Sequence, residues 1–150
     1  MTKSDLQEKF FYSFGNLYYR KSGKKAGWEA RGRYPQIYTH GKLHYLHRLV
    51  YLYHHSLMPE MVDHIDNDPN NNKIENLRPA DKAKNAYNSK TPSDNTSGFK
   101  GVSWGKRRQK WRAYITHNKQ RLELGHFQSK SEAAKTVAEA RDRLHGEYAR

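Results

Sequence analysis

The first pattern along the chain is alternation. FFYSFGNLYYRK (10–21) holds two short aromatic-rich runs around Gly15-Asn16, a dipeptide that supplies the positive-φ positions of a tight turn, so it reads as a β-hairpin. YPQIYTHGKLHYLH (34–47) reads as a second hairpin, with Ile37 and Leu43 flanking His40-Gly41-Lys42, and the basic loop KSGKKAGWEARGR (21–33) joins the two. From Leu46 the period changes. Leu46, Leu49, Val50 and Tyr53 fall at i, i+3, i+4 and i+7, the apolar stripe of a short helix that ends before Pro59. Residues 62–65 and 74–77 then read as strands on either side of a polar loop. Pro79 and Asp81 suit the first turn of a helix that runs to about Tyr87.

NSKTPSDNTSG (88–98) has no periodicity and many breakers, which marks a linker. Beyond it, KGVSWGK (100–106), KWRAYITH (110–117) and QRLELGHF (120–127) read as three antiparallel strands with turns at 107–109 and 118–119. The last segment reads as a helix with Ser131 as its N-cap and Ala134, Val137, Ala138 and Leu144 as a small-residue stripe for close packing on the sheet. The fold class expected from these elements is α+β.

Composition narrows the partners. At 150 residues the chain has room for one ordinary domain or two small ones. Its net charge of +13 favours a polyanion, nucleic acid before membrane. No apolar run approaches the roughly 18 residues of a membrane span, and the N-terminus lacks a signal-peptide stretch, so a cytoplasmic protein is expected. With no cysteine, any metal must be held by His, Asp, Glu or Asn.

The densest chemistry lies in VDHIDNDPNNNKIENLR (62–78). Asn70, Asn71 and Asn72 read as ordinary Asx-turn residues of a polar loop. Asp66 and Asp68 have the opening spacing of an EF-hand, but Asn71 and Leu77 stand where that loop needs its Gly and Glu. Asp63-His64 differs from the rest, because it lies between Val62 and Ile65 on a strand that should face a core, where ionisable groups are costly unless used. Asp-His on a first strand, a loop, Asn-Leu at a second strand and a helix bearing a last Asn resemble the HNH endonucleases, specifically the phage and intron homing type. The resemblance implies a ββα unit over about 60–90 with His64 as general base and Asp63 as a metal ligand. It makes Asn76, 12 residues on, the catalytic Asn that braces the loop and orients His64, and Asn85, 21 residues on, the second ligand. Asn at the last position, where other members have His, implies one hard divalent ion, Mg2+ or Mn2+, rather than zinc. His47-Arg48 also resembles the helix that precedes the unit in this family, with a packing pair as the alternative.

GFKGVSW, KWRAYI, LELGHF and SEAAKTVAEARDRLHGEYA resemble an AP2 domain, a three-stranded DNA-reading sheet backed by one helix. Period two places Trp111, Ala113 and Ile115 toward the helix. Arg112, Tyr114 and Thr116 then face outward, with Lys100, Ser103, Arg121 and Glu123 on the same surface. Lys106, Arg107, Arg108 and Lys110 crowd the first turn and suit phosphate contacts. Residues 95–150 carry 13 basic and 5 acidic side chains, a net +8. The expected organisation is a nuclease domain at 1–90, a linker at 91–97 and an AP2-like domain at 98–150. The expected activity is that of a monomeric, metal-dependent endonuclease acting on double-stranded DNA. The alternative is a catalytically silent DNA-binding regulator.

Overall fold

The computed structural model describes residues 1–28, 34–89 and 91–149, so the stretch 29–33 of the basic loop lies outside the described residues. Contacts divide the chain into two units, Met1–Asp81 and Lys82–Arg150. The fold is mixed α and β, and its sheets are small and antiparallel.

The first unit opens with a helix absent from the expected elements, α1 (Lys3–Lys9). Thr2 caps it reciprocally: its hydroxyl accepts the Asp5 N–H, and its own N–H donates to the Asp5 carboxylate. The first hairpin pairs β1 (Phe10–Ser13) with β2 (Asn16–Tyr19), and Ser13 opposes Asn16. The two turn residues are therefore Phe14 and Gly15, at φ 44° and 81°, one position earlier than Gly15-Asn16. Gly15 is required there for space as well as for φ, because a Cβ on it would stand 2.9 Å from the backbone of Asn72 and Lys73. The described part of the basic loop is tied down by bridges from Lys25 to Tyr18 and from Trp28 to Gln36.

β3 (Gln36–Thr39) and β4 (Lys42–Tyr45) form the second hairpin about His40-Gly41, and α2 (Leu46–His54) follows with Leu49 and Val50 in the core. Lys3 and Gln7 of α1 donate to the last carbonyls of α2, those of His54 and Tyr53, satisfying groups a helix end leaves open.

β5 (Met61–His64) pairs with β6 (Leu77–Ala80) so that Asp63 faces Arg78 and His64 faces Leu77. The second strand thus begins where it was expected to end. Residues 74–76 form a 3-10 turn instead, and Pro79 lies within β6 rather than opening a helix. A two-stranded sheet has only edge strands, which is where proline is tolerated. Ile65 falls beyond the strand and is exposed.

The second unit begins with α3 (Lys82–Asn88) and continues with β7 (Val102–Gly105), β8 (Lys110–His117), β9 (Gln120–Phe127) and α4 (Lys130–His145). α3 is fixed to the sheet of this unit. The Tyr87 ring stacks on His145 with centroids 3.7 Å apart, and its hydroxyl accepts the Asn118 N–H at 2.9 Å. The N-cap of α4 is Ser129, whose hydroxyl accepts the Ser131 N–H, so the cap lies two residues before the expected one. Its buried stripe is correspondingly Ala133, Val137 and Ala140, while Ala138 is exposed.

Ala113 and Ile115 are buried, so the faces of β8 follow period two. β9 departs from it at a bulge. Ala113 opposes Gly125 and Tyr114 opposes Glu123, leaving Leu124 as the extra residue. Simple alternation from Glu123 would turn Phe127 outward; the bulge brings both Leu124 and Phe127 onto the core under α4.

Candidate active site and sheet face

Val62, Asp63 and His64 are buried in succession, which means that both faces of β5 are covered. A carboxylate and an imidazole placed this way need partners, and each has one. Arg78, directly across the ladder, donates from Nε at 3.1 Å and Nη2 at 3.0 Å, both to Oδ2 of Asp63. His64 Nε2 lies 3.0 Å from Oδ1 of Asn72, which is itself only 2% exposed. His64 also packs edge-on to His47 at 5.1 Å and parallel to Tyr34 at 5.8 Å.

His47 is buried, and desolvation first, then the neighbouring His64 and Arg48, push its pKa down from 6.5 to about 3. It is a neutral packing ring beside His64. Arg48 points elsewhere and donates to the carbonyls of Glu60 and Pro59.

The loop between the strands is a closed hydrogen-bond network. The Asn76 side chain accepts the Asp66 N–H and donates to Asp66 Oδ1 and to the Asn71 carbonyl, so it braces this loop from its far end. The adjacent Ile65 N–H donates to the Asn76 carbonyl, which fixes the chain immediately after His64. Asp66 and Asp68 make Asx-turns to residues 68 and 70. Burial pushes the Asp66 carboxyl up, but the hydrogen bonds from Asp68, Asn71 and Asn76 hold it below its ordinary value.

The three asparagines expected to behave alike do not. Asn70 offers its carbonyl, Asn71 reaches Asp66, and Asn72 alone turns inward to His64. Spacing could not separate them. Asn85 is half-buried in the middle of α3 and belongs to the second unit.

On the outward face of the second unit, Arg112 grips Glu123 with Nε and Nη2, and Arg121 lies over the Tyr114 ring at 3.5 Å. Thr116 opposes Arg121 and Ser103 opposes Arg112. Lys106, Arg107 and Arg108 are exposed on the β7–β8 turn, next to Lys110. Lys100 departs from the expected surface. Its ammonium donates to the carbonyls of Tyr87 and Ser89 at the end of α3, at 3.0 and 2.6 Å, because a helix C-terminus attracts a cation.

Among the described residues no helix is long and apolar enough to cross a membrane. A family model described as HNH endonuclease matches residues 44–87, which include α2, the strand pair and most of α3. Protein 3.8 of Escherichia phage T7 is 42% identical over 92 residues, covering 59% of this chain and 73% of that protein. No solved structure matches. The chain belongs to the family of phage T7 protein 3.8, and its residues 44–87 match the HNH endonuclease model.

Proposed function

We propose that the chain is a metal-dependent DNA endonuclease of the HNH homing type, in which His64 is the general base and the AP2-like C-terminal sheet anchors the enzyme on the duplex. The observation that carries this reading is the buried Asp63-His64 pair at the end of β5, its imidazole held by Asn72, inside the segment that resembles HNH endonucleases. Domains at 1–90 and 98–150 joined through 91–97, a monomeric state and action in the cytoplasm of a bacterial host belong to the same proposal.

The donor chemistry fits one hard divalent cation, Mg2+ or Mn2+. Asp63 would offer a carboxylate oxygen and Asn85 an amide oxygen, with no thiolate in the chain. Among the described residues no group of three or more His, Cys, Asp or Glu could hold a metal, so phosphate oxygens and water would complete the shell. When bound, such an ion neutralises charge that develops on the scissile phosphate and the departing 3′ oxygen. His64 takes a proton from water as the water oxygen bonds to phosphorus, and the bond from phosphorus to the 3′ oxygen breaks. Asn76 keeps the loop closed around the base. Lys106, Arg107, Arg108 and Lys110 contact phosphates, while Ser103, Arg112, Tyr114, Thr116 and Arg121 face the groove.

One observation favours a silent DNA-binding regulator instead: Asp63 is engaged by Arg78 in a buried ion pair, a sufficient structural reason for its presence. Incubation with supercoiled plasmid and Mg2+ decides between the readings. Nicked or linear product should appear, vanish in EDTA, and fall about 100- to 10,000-fold in His64→Ala while DNA affinity is nearly retained. DNA binding without cleavage under Mg2+ or Mn2+ would establish the regulator, and cleavage that persists in chelator would remove the metal from the mechanism.

A further inference from the structure

We infer that Asn72 is a positioning residue that fixes His64 in the tautomer with hydrogen on Nε2, leaving Nδ1 as the basic atom. The inference rests on the general-base reading of His64 only for its catalytic consequence; the tautomer itself is a property of the free protein.

The amide of Asn72 has its orientation set by its other neighbours. Nδ2 is 3.1 Å from the Asn70 carbonyl and 3.4 Å from the Pro69 carbonyl, two groups that can only accept. The nitrogen must therefore be on that side and the oxygen on the side of His64. An amide oxygen cannot donate, so the 3.0 Å contact requires His64 Nε2 to carry the hydrogen. A neutral imidazole has one N–H, which makes Nδ1 the proton acceptor.

The support behind Asn72 is backbone. Its N–H donates to the Asn70 carbonyl at 3.0 Å, and Gly15 of the first hairpin closes against its carbonyl carbon. Next along the chain, the Ile74 N–H donates to the Tyr12 hydroxyl at 3.2 Å. An amide held on three sides presents its oxygen to the imidazole at a fixed place, which suits the choice of one tautomer.

The test is 15N NMR of histidine-labelled full-length protein without metal, followed by steady-state cleavage with Mg2+. In the wild type, His64 should show the protonated-type shift at Nε2 and the acceptor-type shift at Nδ1. Asn72→Ala and Asn72→Asp both lose the Nδ2 donor that braces the loop, but only the aspartate keeps an acceptor for Nε2–H. Asn72→Ala should therefore mix the tautomers and lower kcat about 10- to 100-fold with KM for DNA little changed. Asn72→Asp should keep the tautomer and recover kcat to within a few-fold. Hydrogen on Nδ1 with none on Nε2 in the wild type would overturn the inference without any variant, so a variant that fails to fold does not shield it. Equal losses in both variants would overturn it too, by reducing Asn72 to a loop brace. If the wild type cut nothing with any metal, the nuclease reading would fall while the tautomer shifts still judged Asn72.

Discussion

Each unit holds an arginine clamped on a carboxylate, and the two pairs do opposite things. Arg78 and Asp63 face each other across β5 and β6 with side chains 10% and 7% exposed. Arg112 and Glu123 join neighbouring strands of an open sheet at 38% and 43%. The buried pair is inseparable from its fold, because removing either partner strands a charge in a medium that cannot solvate it. Water and salt can replace either partner of the exposed pair. The same chemical pair is thus a structural commitment in the first unit and an adjustable surface feature in the second.

The sharpest way to break this comparison is to delete the arginines. Arg78→Ala should destabilise the protein by about 3–5 kcal/mol, since Asp63 is left buried and uncompensated. Arg112→Ala should leave the unfolding midpoint essentially unchanged. Chemical denaturation of both variants followed by circular dichroism makes the measurement. Near-wild-type stability in Arg78→Ala would mean that the buried pair is no commitment at all.

Gly15→Ala should follow in size. The substitution forces an L side chain to φ 81° and drives its Cβ to 2.9 Å from backbone that cannot step aside. A loss of about 1–3 kcal/mol is expected from the dihedral alone, before the contact is counted. Because the contact is with Asn72, cleavage should fall further than stability predicts. A variant that is destabilised yet cleaves normally per folded molecule would uncouple the hairpin from the site.

Acid should weigh more on the first unit than on the second, although burial also holds His145 of the second unit below its ordinary value. His47 is neutral when folded, with a pKa of about 3 against an ordinary 6.5, so the unfolded chain binds the extra proton. Its contribution is fully present above about pH 6.5 and is lost as the pH falls toward 3, amounting to about 2 kcal/mol at pH 5. Asp66, held below its ordinary value, adds a loss of the same sign at lower pH. Replacement of His47 by Phe should flatten the fall between pH 6.5 and 5, as followed by thermal unfolding across that range. An unchanged slope would show that His47 is not the group being titrated.

The units also differed in how far the sequence disclosed them. β8 and β9 coincide with the segments 110–117 and 120–127 because alternation and two-residue turns are local signals. The bulge at Leu124 was invisible, being set by the fit of Phe127 under α4. In the first unit the elements were legible but their boundaries slipped, since long-range partners fix them. The N–H of Ile74 is taken by Tyr12, 62 residues away, which helps draw 74–76 into a turn and starts β6 at Leu77. Asp63 and His64 were conspicuous as ionisable residues between apolar ones. Arg78 and Asn72 were not: an arginine after Asn-Leu and the third asparagine in a row carry no mark until the ladder and the loop place them.

The smallest effect on stability should come from Glu123→Gln, and it is the one that best tests what the open pair is for. Glu123 neutralises Arg112 on the face proposed to meet DNA, and the bond to Arg112 holds the glutamate below its ordinary pKa. At neutral pH the carboxylate is therefore charged, and it competes with phosphate for the same guanidinium. Gln has nearly the same shape but no charge, so Arg112 would be released to a phosphate, joining Arg121 and Tyr114 beside it. Each additional phosphate neutralised steepens the fall of log affinity with log salt by about 0.9. Fluorescence anisotropy with a duplex long enough for the whole protein, read from low to moderate salt, should show tighter binding at low salt and a slope steeper by about that amount. Arg112→Ala should show no such gain. If Glu123→Gln binds with the wild-type slope, Arg112 does not face the DNA, and the anchoring surface must move to the exposed turn at Lys106, Arg107 and Arg108.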